Sequence, residues 1–291
     1  MSEGIKNTLM GMAKKQRRLL RRSRQQWAYK SLSLQNAPVL FANSFPKSGT
    51  HLLTQILDGF PLIGPAVNSG LPAIVMYDGA TGEERAEAAI KADLSVLSTG
   101  DTSYGHLHAL PWIQSILAAP GFATFFILRD PRDVVVSHVH YVTDIEPNHV
   151  HHEYYSQNLH TFEERLKTSI LGRPDAQHPF PDIAGRFAPF MGWLENKQVL
   201  TLKYEALMAE PRAMTNVMLD FAVERGFPLA VENSRAVDIL LSGINPQKSP
   251  TFRKGKSGGW VNAFSRENKA LFKETAGELL IKLGYEKDYE W

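Results

Sequence analysis

Apolar positions in this chain fall into two kinds of run. Pro38 to Ala42, Phe122 to Leu128 and Val199 to Lys203 are short and nearly unbroken, so they predict strands buried on both faces of a parallel sheet; Leu94 to Ser98 reads as a further strand. Leu52, Leu53, Ile56, Leu57 and Phe60 recur instead at helical spacing and predict a helix over 50–60. Further helices are expected over 83–91, 161–171, 182–195, after Tyr204-Glu205 at the strand's end through Glu224, and over 265–283, with Gly284 closing the last. Between them, 61–82 is rich in Gly and Pro and reads as a long irregular connection, and Pro174 to Pro181 as a break. Strands alternating with helices imply an α/β fold: three layers, α/β/α, around a central parallel sheet.

The first strand runs into Phe45-Pro46-Lys47-Ser48-Gly49-Thr50-His51 and then directly into the first of these helices. Free backbone N–H groups at a helix start, with the helix dipole behind them, favour an anion. Lys47 adds a positive charge, Ser48 and Thr50 add hydroxyl donors, and Gly49 permits close backbone approach, which together describe a phosphate cradle. It is not the nucleoside triphosphate pattern G-x-x-x-x-G-K-[ST], because Lys47 precedes Gly49 and Ser44 stands at the first glycine. Gly255-Lys256-Ser257 fails the same pattern, with Pro250 at the first glycine. Taken alone, Lys47 to Thr50 also reads as an ordinary strand-to-helix turn with a capping serine.

The Phe45 to Thr50 segment resembles the 5′-phosphosulfate loop of sulfotransferases that use 3′-phosphoadenosine 5′-phosphosulfate (PAPS). Arg129-Asp130-Pro131-Arg132-Asp133 with Ser137, and Phe252-Arg253-Lys254-Gly255 with Gly258 and Trp260, match the same family in the same order. The resemblance implies a P-loop NTPase-like topology and PAPS as donor. It implies that Ser48, Gly49 and Thr50 hold the 5′-phosphate, with Lys47 meeting the charge on that leaving group, that Arg129, Ser137, Arg253 and Gly255 hold the 3′-phosphate, that His51 and Lys254 also belong to the donor site, and that Tyr204 lies at the adenine. The family's histidine base aligns best with His106, in Tyr104-Gly105-His106-Leu107-His108; His108 and a carboxylate stay open as alternatives. Many cytosolic members carry lysine where this chain has Tyr104, so acceptor preference does not transfer from them. For Arg129 an ion pair to Asp130 or Asp133, and for Tyr204 simple core packing, are the plain readings.

Composition narrows the class rather than the reaction. There are no cysteines among 291 residues, so neither disulfides nor thiolate chemistry, and the net charge of +2 gives no reason to expect nucleic acid. Residues 14–30 concentrate eight cations, Lys14, Lys15, Arg17, Arg18, Arg21, Arg22, Arg24 and Lys30, with no acid and with Leu19, Leu20 and Trp27 interspersed. Residues 1–33 are read as a basic, loosely docked N-terminal arm and 34–291 as the sulfotransferase domain; peripheral contact of the arm with an anionic membrane is the second reading. No apolar core of a secretory signal is present, and a cytoplasmic location is expected. The histidines at 138, 140, 149, 151, 152 and 160 read as a polar loop bordering the acceptor, with no metal expected. The acceptor is expected to be a hydroxyl on a glycan, lipid or small molecule. The rival readings are a nucleotide or nucleoside kinase with a degenerate loop and a catalytically silent nucleotide-binding protein.

Overall fold

The computed structural model describes residues 3–178, 180–245, 247 and 257–291, with side chains from residue 16 onward. Its centre is a six-stranded sheet: β1 (Val39–Ser44), β2 (Val67–Asn68), β3 (Ile74–Val75), β4 (Asp101–His106), β5 (Phe122–Leu128) and β6 (Val199–Lys203). The order is β2-β4-β1-β5-β6, every ladder is parallel, and β3 joins the outer edge of β4 beyond β2. Side chains of β1 and β5 alternate between two cores. Phe41, Phe126 and Leu128 face one, while Leu40, Ala42, Phe125 and Ile127 face the other, so helices cover both faces and the expected three layers form.

Three predicted strands are present, each within one or two residues of the expected ends. Leu94 to Ser98 is not a strand: a helix spans Glu87–Ser95, because Ile90 and Leu94 are four residues apart and both buried. The missing strand is β4, six residues later, where Thr102, Ser103 and Gly105 are buried between β1 and the short β2 and β3. The irregular 61–82 connection thus contributes two edge strands. The helix expected after Tyr204-Glu205 begins at Tyr204 itself and breaks at Pro211 into Tyr204–Ala209 and Pro211–Glu224, since Pro211 supplies no N–H to continue the ladder. The 182–195 segment breaks similarly, around Pro189, into Ile183–Phe187, a single 3₁₀ turn and Gly192–Glu195.

The basic arm is a helix, α1 (Glu3–Ala28), and it is not loosely held. Asp101, fully buried at the start of β4, accepts from both Arg18 and Arg22, the latter at 2.8 Å. A buried carboxylate is tolerated only when paired, so α1 completes the sheet's edge.

Candidate active site

Ser44, His106, Leu128-Arg129 and Lys203-Tyr204 lie at or just beyond the carboxyl ends of adjacent strands β1, β4, β5 and β6. That is where open parallel sheets place their ligands. The cradle follows β1 and leads into α2 (Thr50–Leu57). Lys47 sits at φ 67° and Gly49 at φ 98°, two left-handed residues in one turn. At Gly49 the requirement is steric as well, for a Cβ there would stand 2.5 Å from Tyr204 Cδ2. Tyr204 is therefore the wall against which the cradle is folded, and the Arg129 guanidinium lies over its ring at 4.6 Å from the centroid.

The cradle contains donors without acceptors. Ser48 is fully buried and its hydroxyl has no hydrogen-bond partner among the described residues, an arrangement that costs free energy unless an acceptor arrives. The Lys47 ammonium is half-buried and rests 3.6 Å from the centre of the Tyr141 ring. Loss of water, and secondarily the Arg129 charge, lowers its pKa to about 7. An orphaned hydroxyl, a desolvated ammonium and a nearby guanidinium fit a phosphate.

Ser44 joins this cradle to the histidine. His106 Nδ1 lies 3.0 Å from both the carbonyl oxygen and the hydroxyl of Ser44. A carbonyl only accepts, so Nδ1 carries the ring proton and Nε2 keeps its lone pair. The Ser44 hydroxyl also shares a hydrogen bond with Thr50 Oγ1 at 2.8 Å, so one side chain touches both the cradle and the histidine. Burial lowers the His106 pKa, the Ser44 carbonyl opposes this, and Lys47 and His51 lower it further. His51 is itself lowered, by burial first and by Lys47 second. His106 is accordingly neutral near pH 7, the form that accepts a proton. His108 packs elsewhere, edge-on to Tyr77 and Phe190 with centroids 5.7 and 4.9 Å away, and burial takes its pKa to about 4.

Arg129 donates to Asp133 at 3.2 Å, the plain ion pair considered for it. That pair does not exhaust Asp133, whose buried carboxylate also accepts from the backbone N–H groups of Gly258 (2.8 Å) and Trp260 (2.9 Å). Arg132 stacks on the same Trp260, 3.8 Å from its centroid, and pairs with Asp130 (2.7 Å) and Glu286 (2.5 Å). Ser137 is partly exposed two turns into the helix Pro131–His140. Arg253, Lys254 and Gly255 lie outside the described residues; Asp133, the partner of Arg129, holds Gly258 and Trp260, which follow them in the chain.

Residues 106–284 match the family model of the sulfotransferase domain, more than half of the chain. The chain belongs to the sulfotransferase domain family. No curated protein sequence matches it. Among solved structures, mouse sulfotransferase SULT7A1 complexed with PAP is 20% identical at a TM-score of 0.56, over 90% of this chain and 93% of that one. Retinol dehydratase in complex with androsterone and inactive cofactor PAP is 14% identical at 0.55, covering 88% and 85%. A retinol dehydratase complex with retinol and PAP is 14% identical at 0.54, covering 85% and 83%. At these identities the likeness is one of fold.

In this sulfotransferase-domain chain three of the histidines of 138–160 pack together, His149 lying 6.0 Å from His138 and 5.4 Å from His151 between ring centroids, while the others find separate partners. His138 bonds Ser169 at 3.1 Å, His140 pairs with Asp144 at 2.9 Å, and His152 bonds the Val142 carbonyl at 2.6 Å. His149, whose pKa burial takes to about 4, stands edge-on to Tyr141, the ring under Lys47, so that part of the loop does border the site. Among the described residues no group of three or more His, Asp or Glu is placed to hold a metal ion.

Sequence reasoning missed two supports. Buried Asn43 donates to the Leu107 carbonyl (2.9 Å) and accepts the Leu107 N–H (2.8 Å), clamping the peptide that follows His106. A polar residue inside an apolar strand was the available signal. Glu205 accepts the Asp130 N–H at 3.0 Å and the Tyr285 hydroxyl at 2.9 Å, fixing the peptide after Arg129.

Proposed function

We propose that this protein transfers a sulfuryl group from PAPS to an acceptor hydroxyl, with His106 as the base. The observation that carries the reading is the Ser44 link: one side chain bonds both Thr50 of the cradle and His106 Nδ1, fixing base and anion site relative to each other. The donor contributes an activated sulfuryl group on its 5′-phosphate. Lys47, the Ser48 and Thr50 hydroxyls and the amides beside Gly49 receive that phosphate, while Arg129, Ser137, Arg253, Lys254 and Gly255 receive the 3′-phosphate, Tyr204 lying between the two ends. His106 Nε2 takes the acceptor proton as the acceptor oxygen bonds to sulfur and the sulfur-to-phosphate oxygen bond breaks. The electron pair stays on the 5′-phosphate, where Lys47 meets the charge. PAP in all three fold neighbours supports the donor, and androsterone and retinol in two of them, both alcohols, support a hydroxyl-bearing acceptor. Glycan, lipid and small-molecule alcohols are the classes to test, with residues 34–291 as the transferring domain.

The test is turnover of sulfur-labelled PAPS against a panel of such alcohols. Sulfated product is expected, reduced about 10²–10⁴-fold by His106→Ala with PAP affinity preserved. Magnesium-dependent use of ATP, or turnover untouched by His106→Ala, would overturn the proposal.

A further inference from the structure

We propose that the outward face of α1 is a docking surface for an anionic lipid bilayer, independent of the transfer site. One face of this helix is already used. Arg18 donates to the Val96 carbonyl (2.7 Å) and Ser98 Oγ (3.1 Å) besides Asp101, Arg22 to the Thr99 carbonyl (2.9 Å), Gln25 to the Pro61 and Gly64 carbonyls (2.6 and 3.0 Å), and Tyr29 to Pro61 (3.2 Å). Positions 18, 22, 25 and 29 form one helical stripe, so the helix cannot roll to hide its other side.

That other side carries the residues a helix in water normally turns inward. Leu19, Leu20 and Trp27 are 57%, 54% and 72% exposed, and Leu20 and Trp27 stand two turns apart on one line. In the sequence, Ile5, Leu9 and Met12 repeat the same apolar spacing further back. Exposed Arg17, Arg24 and Lys30 accompany the stripe, and Lys30 lies over the Trp27 ring at 4.8 Å. A tryptophan with cations around it is the side-chain chemistry of the membrane interface.

Charge selects the partner. Residues 1–30 hold nine cations against Glu3, a net +8 in a chain whose total is +2, leaving the remainder at −6. Such a segment is drawn to an anionic surface, whereas a second copy meeting it helix to helix would set like charges together. No described helix is long and apolar enough to cross a membrane, so the contact is peripheral, with α1 lying flat. Its anchor, Asp101, begins β4 while His106 ends it, so docking leaves the transfer site open.

The full chain is sedimented with phosphatidylcholine vesicles with and without phosphatidylglycerol. Binding is expected only to the anionic vesicles, weakening with added salt, with a blue shift of Trp27 fluorescence. Leu20→Gln with Trp27→Gln is expected to weaken partitioning at least about tenfold, while leaving the melting temperature and PAP affinity unchanged. Absence of vesicle binding, equal binding by the double variant, or equal binding to neutral vesicles would overturn the proposal. So would a concentration-dependent dimer in sedimentation velocity that the same variant abolishes, which would make the face a self-association surface.

Discussion

The role proposed for Lys47 predicts that donor binding is coupled to proton uptake. In the ligand-free protein, burial and Arg129 bring its pKa to about 7, because water is lost and no anion replaces it. A phosphate in the cradle reverses both effects and draws the pKa back up. At pH 8 about nine-tenths of the amines are then neutral before binding, so each PAP bound takes up about 0.9 proton, against about 0.5 at pH 7. Affinity is complete below the free pKa and is lost as pH rises through it, about tenfold, or 1.4 kcal/mol, per unit between pH 8 and 9. The ligand-free fold runs the other way: a lysine pKa depressed below its unfolded value means stability rises between about pH 7 and 10. Calorimetry of PAP in two buffers of different ionisation enthalpy reads the proton count directly. Keeping to pH 7 and above avoids the phosphate's own titration, whose second pKa is about 6. Lys47→Arg, charged throughout, should flatten the pH slope and the proton uptake. Uptake near zero at pH 8, or the same slope in Lys47→Arg, would refute the reasoning.

Other perturbations follow from the supports around the site. Asp133→Asn offers an amide N–H where one backbone N–H of Gly258 or Trp260 now donates, so the donor KM should rise about tenfold or more while the acceptor KM holds, read by steady-state kinetics. Asn43→Ala releases the Leu107 peptide, and kcat should fall about tenfold with PAP affinity in calorimetry unchanged. Arg18→Ala with Arg22→Ala leaves the buried Asp101 carboxylate with no cation and only the Ser98 N–H; a loss of about 3 kcal/mol, or roughly 6–10 °C in Tm by calorimetry, is expected.

Local chemistry made parts of this protein readable in advance. The Lys47 to Thr50 cradle shows in sequence because its lysine, glycine and hydroxyls are contiguous, and β1, β5 and β6 show because strands buried on both faces are apolar throughout. β4 was hidden: its buried Thr102, Ser103 and Gly105 are supported by ladders on both sides, not by hydrophobicity, so it looked like a polar loop. Leu94 to Ser98 misled because a short apolar run is shared by strands and helices, and the decisive partner, Ile90, lay outside it. Asn43, Asp101, Asp133 and Glu205 act on residues 64 to 127 positions away, and nothing local signals that. In the sequence only family likeness separates His106 from His108, since the Ser44 carbonyl beside His106 Nδ1 lies 62 positions away.

The central claim is that two separated phosphates are gripped at once, by the cradle at one end and Arg129 at the other. Titrating the protein with PAP and with adenosine 5′-monophosphate, in wild type and Arg129→Ala, tests it most directly. Wild type should prefer PAP by about a hundredfold, the worth of charge-assisted hydrogen bonds to the 3′-phosphate, and Arg129→Ala should erase most of that preference. Equal affinities for the two nucleotides in wild type, or a preference untouched by the substitution, would contradict the account.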